Sequence, residues 1–380
     1  GAAVTISESG IEASGIGITC ASINGAQIGG RRNLIINGAM QVAQRGTSFT
    51  ASSSYPVDRF RIDDGGHEEL STKEQAAVTS GGAYDAGFRK CIKITNGNQT
   101  GGAGSSDYNQ IMTRIEAQEI ANSGWNYKSS SSFLTFSFWV KSSVAQVFSG
   151  SLRTADGTSY SYKFDTPSLS ANTWTKVTKT IPGNSNLTFD DDVNLGMQIF
   201  IFPFIGTGYT GDGSATETWV AAASNYANTM TSTWWTTNDA TFELTGVQLE
   251  VSSEATPFEH RSFHQDYLEC ARYYIQMNRI PVMTNRTAGY VSTTTRLNPV
   301  PMRAIPTVAA SGTISLNVFF YGGTAPTSTT TPGFQNNGDS GQPYGGDNFI
   351  LNFSGFSTGT FQTNEFGEVH GATFSLSAEL

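Results

Sequence analysis

Charge is what this chain has least of. Acidic and basic residues fill only 14% of its 380 positions, against about 25% in an ordinary domain. What charge there is leans acidic, at −9 net. A phosphate-binding surface needs clustered Lys and Arg, so no nucleic-acid partner is expected. No apolar run approaches the roughly 20 residues that carry a helix across a bilayer, and no membrane partner is expected either. No basic-then-apolar leader opens the chain. It begins at Gly1 rather than Met, so a fragment or processed piece of something longer is expected. Cysteine is scarce, with Cys20, Cys91 and Cys270 far apart. An odd, sparse set makes no disulfide framework and reads as free buried thiols in a reducing compartment. Runs of Ala, Leu, Glu and Lys that build long helices are almost missing. So are a G-x-S-x-G elbow, a P-loop and a G-x-G-x-x-G turn after a strand.

What is there is glycine, 41 of it, and a hydrophobic fraction of 38% rich in Phe, Tyr, Ile and Val. That mixture predicts many short strands joined by tight turns, hence an all-β protein. The alternation of Phe133–Ser142 puts Leu134, Phe136 and Phe138 on one face and Phe133, Thr135 and Ser137 on the other. Thr173–Pro182 alternates as well, Trp174, Lys176 and Thr178 opposing Thr175, Val177 and Lys179. Val193–Gly206 is a long apolar strand suited to the middle of a sheet, and Phe242–Glu250 is a further strand. Ile111–Ile120 reads as a weak helix. A firmer one follows Ser262, whose spacing to Gln265 makes a capping box with Asp266 in the first turn. Phe263, Tyr267, Ala271, Tyr274 and Ile275 then share a helical face.

The organisation predicted is a glycine-rich stem over 1–31, a β-sandwich over 32–260, a linker helix over 261–275 and a smaller C-terminal β-domain over 276–380. Isoleucines 11, 16, 18, 23 and 28 recur among Gly and Ser in the first segment, giving strands too brief to bury a core alone. Such a stem is stable against copies of itself, and a homotrimer is expected; a flexible arm is the alternative. Residues 322–348 carry too few apolar side chains to be core and read as a long surface loop or one held by a neighbouring subunit.

Several motifs occur in a particular order. They are NLIINGAM (Asn33–Met40) with QRG after it, YPVDRF (Tyr55–Phe60), TRIEAQEIA (Thr113–Ala121), FWVKSS (Phe138–Ser143) and SANTWTKVTKTIPG (Ser170–Gly183). Then come WVAAASNY (Trp219–Tyr226), TGVQLE with ATPFE, CARYY (Cys270–Tyr274) and PVPMRAIPT (Pro299–Thr307). In this order, from Arg32 to Thr307, the chain resembles bacteriophage tail-fibre and host-recognition proteins that carry a jelly-roll like a carbohydrate-binding module. The resemblance implies a jelly-roll sandwich, a homotrimer, other tail or capsid proteins held through the N-terminal segment, and a virion location after assembly in the host cytoplasm. It implies a distal fibre part that binds a host-surface glycan without enzymatic activity. A capsid-decorating or head-fibre protein, or a tail component without receptor contact, is the alternative, and a polysaccharide depolymerase a further one.

Sugar-binding jelly rolls stack aromatic faces on pyranose rings. The candidates are loop aromatics: Trp125, Tyr209, Trp219, Tyr226, Trp234 and Trp235. Trp139 and Trp174 lie in strands and are expected to pack. Related modules often hold calcium near the first and last strands; here the matching positions are Gln41 and Glu243, one amide and one carboxylate, a weakened donor set for that ion. The Asp190-Asp191-Asp192 run reads as a solvated turn. His260 and His264 have zinc-compatible spacing, but His260 falls before the helix and a third ligand is lacking, so the pair reads as coincidence. Hydrolysis would need two placed carboxylates; Asp63-Asp64, Glu68-Glu69 and Glu116 with Glu119 are present, and none stands out.

Overall fold

A computed structural model describes residues 5–7, 10–12, 22–23, 26–27, 31–211, 216–222, 226–284, 291–293, 299–304, 306–318, 328–329, 352–353 and 366–380. The chain is all-β, and its main body is the sandwich the alternation predicts. One sheet has seven strands in the order Trp219–Ala221, Tyr160–Asp165, Ser149–Thr154, Leu195–Ile205, Tyr108–Glu116, Phe60–Gly65 and Ser53–Val57. The facing sheet has six, in the order Thr175–Pro182, Phe133–Ser142, Thr241–Val251, Lys90–Thr95, Thr72–Ala77 and Ser48–Phe49. Neighbours in both sheets run antiparallel.

The two inner faces meet in a layer of aromatics and branched aliphatics. Leu134, Phe136, Phe138 and Val140 are wholly buried from one sheet, and Leu152, Phe164, Ile199 and Ile201 oppose them from the other. Phe136 meets Phe164 edge-on with centroids 5.7 Å apart. Truncating one such Phe to Ala costs about 3–5 kcal/mol. Thr135 and Ser137, expected on an open face, are buried too. Thr135 Oγ1 donates to the Ser252 carbonyl at 2.8 Å, so the chain leaving the last sandwich strand covers this side. A charged contact lies between the sheets: Lys73 Nζ meets Asp64 Oδ2 at 2.5 Å with both side chains fully shielded. Ser71 Oγ donates to the same carboxylate at 2.6 Å.

The Leu195–Ile205 strand is the middle one of seven, as its apolar run predicts. Its ladder with Tyr108–Glu116 slips between the pairs Ile111–Ile201 and Asn109–Phe204. Pro203 sits in this bulge, where a residue without an N–H is tolerated. The extra residue reverses the inward face: Ile199 and Ile201 point inward before it and Phe204 after it, which turns Ile205 outward.

Ile111–Ile120 is not the expected helix. Residues Tyr108–Glu116 are a strand paired on both edges, and only Ala117–Ala121 makes a helical turn. The apolar pair Ile111 and Ile115 lies four apart, a spacing that shares one face in a helix and in a strand alike. Pairing on two edges decides between them. The predicted capping box is formed: Ser262 Oγ accepts from Gln265 N, and Gln265 Oε1 accepts from Ser262 N. The helix is shorter than expected, Phe263–Ala271, because Tyr274–Met277 is already a strand. Its buried face also differs. Asp266, Cys270 and Ala271 are covered while Phe263 is 56% exposed, because the helix lies against Ile36 and Val42 with Cys270 and Tyr273 turned inward.

A third sheet contains Tyr274–Met277, Ile280–Thr284, Val291–Thr293, Thr307–Val318 and Phe366–Ser377, with Ser328–Thr329 and Asn352–Phe353 at its ends. Arginines hold it to the sandwich. Arg272 makes a two-pronged contact with buried Glu116, at 2.8 and 2.9 Å, and Tyr273 Oη donates to the same carboxylate at 2.5 Å. Arg59 pairs with Glu379 and lies 3.4 Å over the Tyr273 ring. Arg303 donates to the carbonyls of Val193 and Ala378 at 3.0 and 2.9 Å. In the expected stem, Thr5–Ser7 pairs with Gly10–Glu12 and Ser22–Ile23 with Ala26–Gln27. The rest of 1–30, Cys20 included, lies outside the described residues, as does 322–348 apart from Ser328–Thr329.

Glu116 is the acceptor on which the junction converges, so Glu116→Ala leaves a half-buried guanidinium and a buried phenol unpaired. The expected loss is on the order of 3 kcal/mol, read from urea unfolding; a loss indistinguishable from zero would contradict the geometry. Asp266 gives a second expectation. Burial pushes its carboxyl up to about 6, against Arg261 and the Asn37 N–H, which pull it down. The folded state therefore holds this proton more tightly than the unfolded chain, and stability falls as pH rises from about 4 to about 6. Asp266→Asn should raise the Tm at neutral pH by a few degrees, and the gain should vanish near pH 4, where both side chains are neutral.

Candidate functional site

The outer face of the seven-stranded sheet carries an open groove of about 350 Å³. That lies at the small end of the roughly 300–1,000 Å³ that small-molecule sites occupy. Strand alternation supplies it. Tyr108, Gln110, Met112 and Arg114 are the outward set of one strand, the inward set being Asn109, Ile111, Thr113 and Ile115. Arg61 and Asp63 face out from the strand on one side, and Gln198 and Phe200 from the strand on the other. Cross-strand register places Gln110 beside Asp63, Met112 between Arg61 and Phe200, and Arg114 beside Gln198. Ile205, turned outward by the bulge, completes an apolar floor with Met112 and Phe200. Tyr108 can lie flat here because its partner is Gly65, where a Cβ would sit 2.8 Å from the ring.

Tyr209 and Tyr226 form the wall. They come from the segment that crosses back over the sheet after Ile205. Tyr226 N donates to the Tyr209 carbonyl at 2.8 Å, and Thr210 bridges Ala227. Their rings stand 6.5 Å apart, with Tyr108 5.9 Å from Tyr209, edge to face. All three are half-buried. Arg153 lies 4.1 Å over the Tyr226 ring.

The polar groups are unequally satisfied. Asp63 accepts from Arg61 Nε at 2.8 Å and from the Gln110 amide at 3.4 Å. Gln198 Nε2 reaches only the Met112 sulfur, at 3.5 Å. Arg114 Nε is buried without a hydrogen-bond partner, and among the described residues no group accepts from its guanidinium. Burial, reinforced by Arg61, pulls the Arg114 pKa below the usual arginine range, against the pull of Tyr55 and Asp63. Tyr108 is shifted upward by burial and by Asp63.

Of the six aromatics picked from the sequence, two reach this groove and four do not. Trp125, Trp219, Trp234 and Trp235 are core residues, with exposures of 3, 6, 0 and 0%. Each indole N–H is spent on a carbonyl: Ser132, Pro182, Thr241 and Gly102 respectively. No ring face is left for a ligand. Burying so large an apolar surface while satisfying its one donor is the favourable outcome for tryptophan. The groove residues missed from the sequence are Arg61, Asp63 as a groove group, Tyr108, Gln110, Met112, Arg114, Gln198, Phe200 and Ile205. The signal was the period-two set Tyr108, Gln110, Met112 and Arg114, hidden by reading part of that strand as a helix. Trp174 packs as expected, with Ala83, Phe88 and Cys91, and half-buried Trp139 joins that cluster.

The calcium positions are each engaged with other groups. Glu243 Oε2 is held by Lys141 Nζ at 2.9 Å, and the Gln41 amide reaches the Arg261 carbonyl at 3.4 Å. Among the described residues no cluster of three or more His, Cys, Asp or Glu is placed to hold a metal. Asp190, Asp191 and Asp192 turn to separate partners: Asp190 N donates to Asp156, Asp191 accepts from Asn122, and Asp192 accepts from Asn194. His260 precedes the helix, bonds the Ala86 carbonyl at 3.0 Å and packs on Phe88 and Phe258. The carboxylate pairs are likewise divided. Glu68 and Glu69 bind the loop at 98–101, Glu116 belongs to the junction, and Glu119 pairs with Arg31. Asp63 alone of these carboxylates lines the groove.

No protein-family model matches the sequence, and no curated protein matches it. Among solved structures, the enzymatically active domain of tailspike protein 4 of bacteriophage CBA120 overlaps 58% of this chain. The match spans 21% of the tailspike chain, at 11% identity and a TM-score of 0.31. The family 11 carbohydrate-binding module of Clostridium thermocellum, solved with a mixed-linked β-1,3-1,4 tetrasaccharide, overlaps 55% of this chain and 98% of its own, at 12% identity and a TM-score of 0.25. A tandem of family 22 carbohydrate-binding modules from Paenibacillus barcinonensis overlaps 89% and 99%, at 11% identity and 0.25. At this level of overlap the neighbours decide nothing about this chain's ligand; the groove's own chemistry has to.

The thiol beneath Glu243 yields an expectation. Burial, with Glu243 beside it, pushes Cys91 up to about 12, and burial raises Cys270 as well. Only a thiolate reacts readily with a disulfide reagent. With Cys20 replaced by Ser, the native protein should release no thiol colour from Ellman's reagent at mildly alkaline pH, and unfolding should release two equivalents. Prompt reaction in the folded state would show that one of these sites is open.

Proposed function

We propose that this chain is a non-enzymatic glycan-binding protein of a bacteriophage virion, the distal part of a tail fibre that adsorbs to the host surface. The observation that carries the glycan reading is the groove: three tyrosines over an apolar floor, rimmed by two amides, a carboxylate and guanidinium groups. A pyranose has apolar faces that stack on aromatic rings and equatorial hydroxyls that take paired donors and acceptors. Tyr209 and Tyr226 supply the faces, Gln110 and Gln198 the amides, and Asp63 an acceptor already oriented by Arg61. Among the described residues the groove holds a single carboxylate, which supports binding without cleavage, since hydrolysis uses two, about 5–10 Å apart. The ordered motifs from Arg32 to Thr307 support the virion setting.

One groove of this size makes a weak site. A homotrimer repeated over several fibres would multiply weak contacts, since linked sites convert later binding steps into intramolecular ones. The intact chain should then scatter light as three times 40.6 kDa; a monomer would remove the avidity argument. The alternative of a capsid-decorating or head-fibre protein separates by position, and labelled antibody seen by electron microscopy on intact particles should mark the tail tip.

The groove itself is tested by Tyr226→Ala. Losing one stacking face is worth about 0.5–1.5 kcal/mol, so affinity for whichever members of a bacterial-polysaccharide array bind the native protein should fall severalfold to tenfold. The unfolding midpoint should stay close to native, the ring being half-exposed. Full retention of binding would move the site elsewhere.

A further inference from the structure

The groove's charge says which sugars it takes. Two arginines, Arg61 and Arg114, line it against one carboxylate among the described residues, Asp63, in a chain whose net charge is −9. Arg61 is already paired with Asp63 at 2.8 Å, and Arg153 lies over the Tyr226 ring. Arg114 differs. It is half-buried, its Nε is shielded from water, and no described group accepts a hydrogen bond from it. A buried donor left unmade is costly, and a charged one more so. Across the strands it stands beside Gln198, whose Nε2 faces a sulfur and whose carbonyl oxygen accepts nothing from it. A guanidinium held partly out of water on a rigid strand, within a tyrosine-walled groove, lacks one partner, a planar anion.

We infer that the groove selects a carboxylate-bearing sugar, such as a uronic or nonulosonic acid residue of a surface polysaccharide, with its carboxylate on Arg114 and its ring against Tyr209 and Tyr226. This rests on the glycan reading above and narrows it to a substrate class. Carboxylate is favoured over phosphate by charge balance. Asp63 offsets one arginine, and a phosphomonoester brings about −1.5 to −2, placing its second charge near Asp63. Arginine's planar fork matches the two carboxylate oxygens.

The test compares matched pairs by calorimetry with the full chain: sialyllactose with lactose, and an oligogalacturonate with its carboxyl-reduced, neutral counterpart. A phosphorylated disaccharide with its parent serves as the third pair. The acidic member of a carboxylate pair should bind at least about tenfold more tightly, and the margin should shrink as salt rises. Arg114→Gln should erase the margin while leaving the unfolding midpoint near native. Arg114→Lys should restore part of it. Equal affinity within both carboxylate pairs, a preference that survives Arg114→Gln, or a margin found only in the phosphate pair would overturn the inference. If acidic and neutral members bind equally and Tyr226→Ala weakens that binding, the glycan reading stands while this one falls. No saccharide binding in any pair would sink both.

Discussion

A β-strand has two faces and no third, and the Tyr108–Glu116 strand uses both. Its inward residues, Ile111 and Ile115, help close the sandwich core. Its outward residues, Tyr108, Gln110, Met112 and Arg114, make one side of the groove. At its end Glu116 receives Arg272 and Tyr273 from the connection to the third sheet, and the Arg114 carbonyl receives Arg59 at 2.7 Å. Core, groove and junction are thus set by the register of one strand against its two neighbours. A slip by one residue would invert all three at once. The bulge at Pro203 lies next to this strand, and there an extra residue adds Ile205 to the groove floor without disturbing the core.

The scarcity of charge looks different once the fold is known. Part of that small set of charged side chains is not in a solvated coat. Arg45, Arg59, Arg272 and Arg303 meet carboxylates, carbonyls and tyrosine faces where the third sheet joins the sandwich, and Lys73 with Asp64 sits sealed between the two sandwich sheets. Buried pairs of this kind add little net stability against apolar replacements, but losing one partner is expensive. They fix which surfaces meet rather than how strongly. Against that background an arginine in a groove with no described acceptor is conspicuous, because the other guanidinium groups among the described residues are placed with partners.

The sequence was informative where one periodicity applied without competition. Phe133–Ser142 and the apolar Val193–Gly206 run read correctly as strands because their neighbours continue the same pattern, and Ser262 with Gln265 read correctly as a cap because that motif is local. Ile111–Ile120 did not, since a four-residue spacing fits both periods and only pairing partners far along the chain resolve it. That misreading concealed Tyr108, Gln110 and Arg114 as a surface. The tryptophans failed for a different reason. Loop position was taken for exposure, yet Trp234 and Trp235 sit on a helical turn that plugs one end of the sandwich, and their exposure depends on Asn96, Gln146 and Gly102 approaching them. Tyr209 and Tyr226 differ from them in placement, because a segment crossing back over a sheet leaves part of each ring open.

The groove is laid on the outside of a finished sheet. Its floor and rim alternate, residue by residue, with side chains that belong to the core, so substitution at Gln110, Gln198 or Tyr226 touches no inter-sheet contact. Groove and core are therefore encoded at interleaved but separable positions. Such a scaffold can change the lining of its groove by single substitutions without passing through an unfolded intermediate variant.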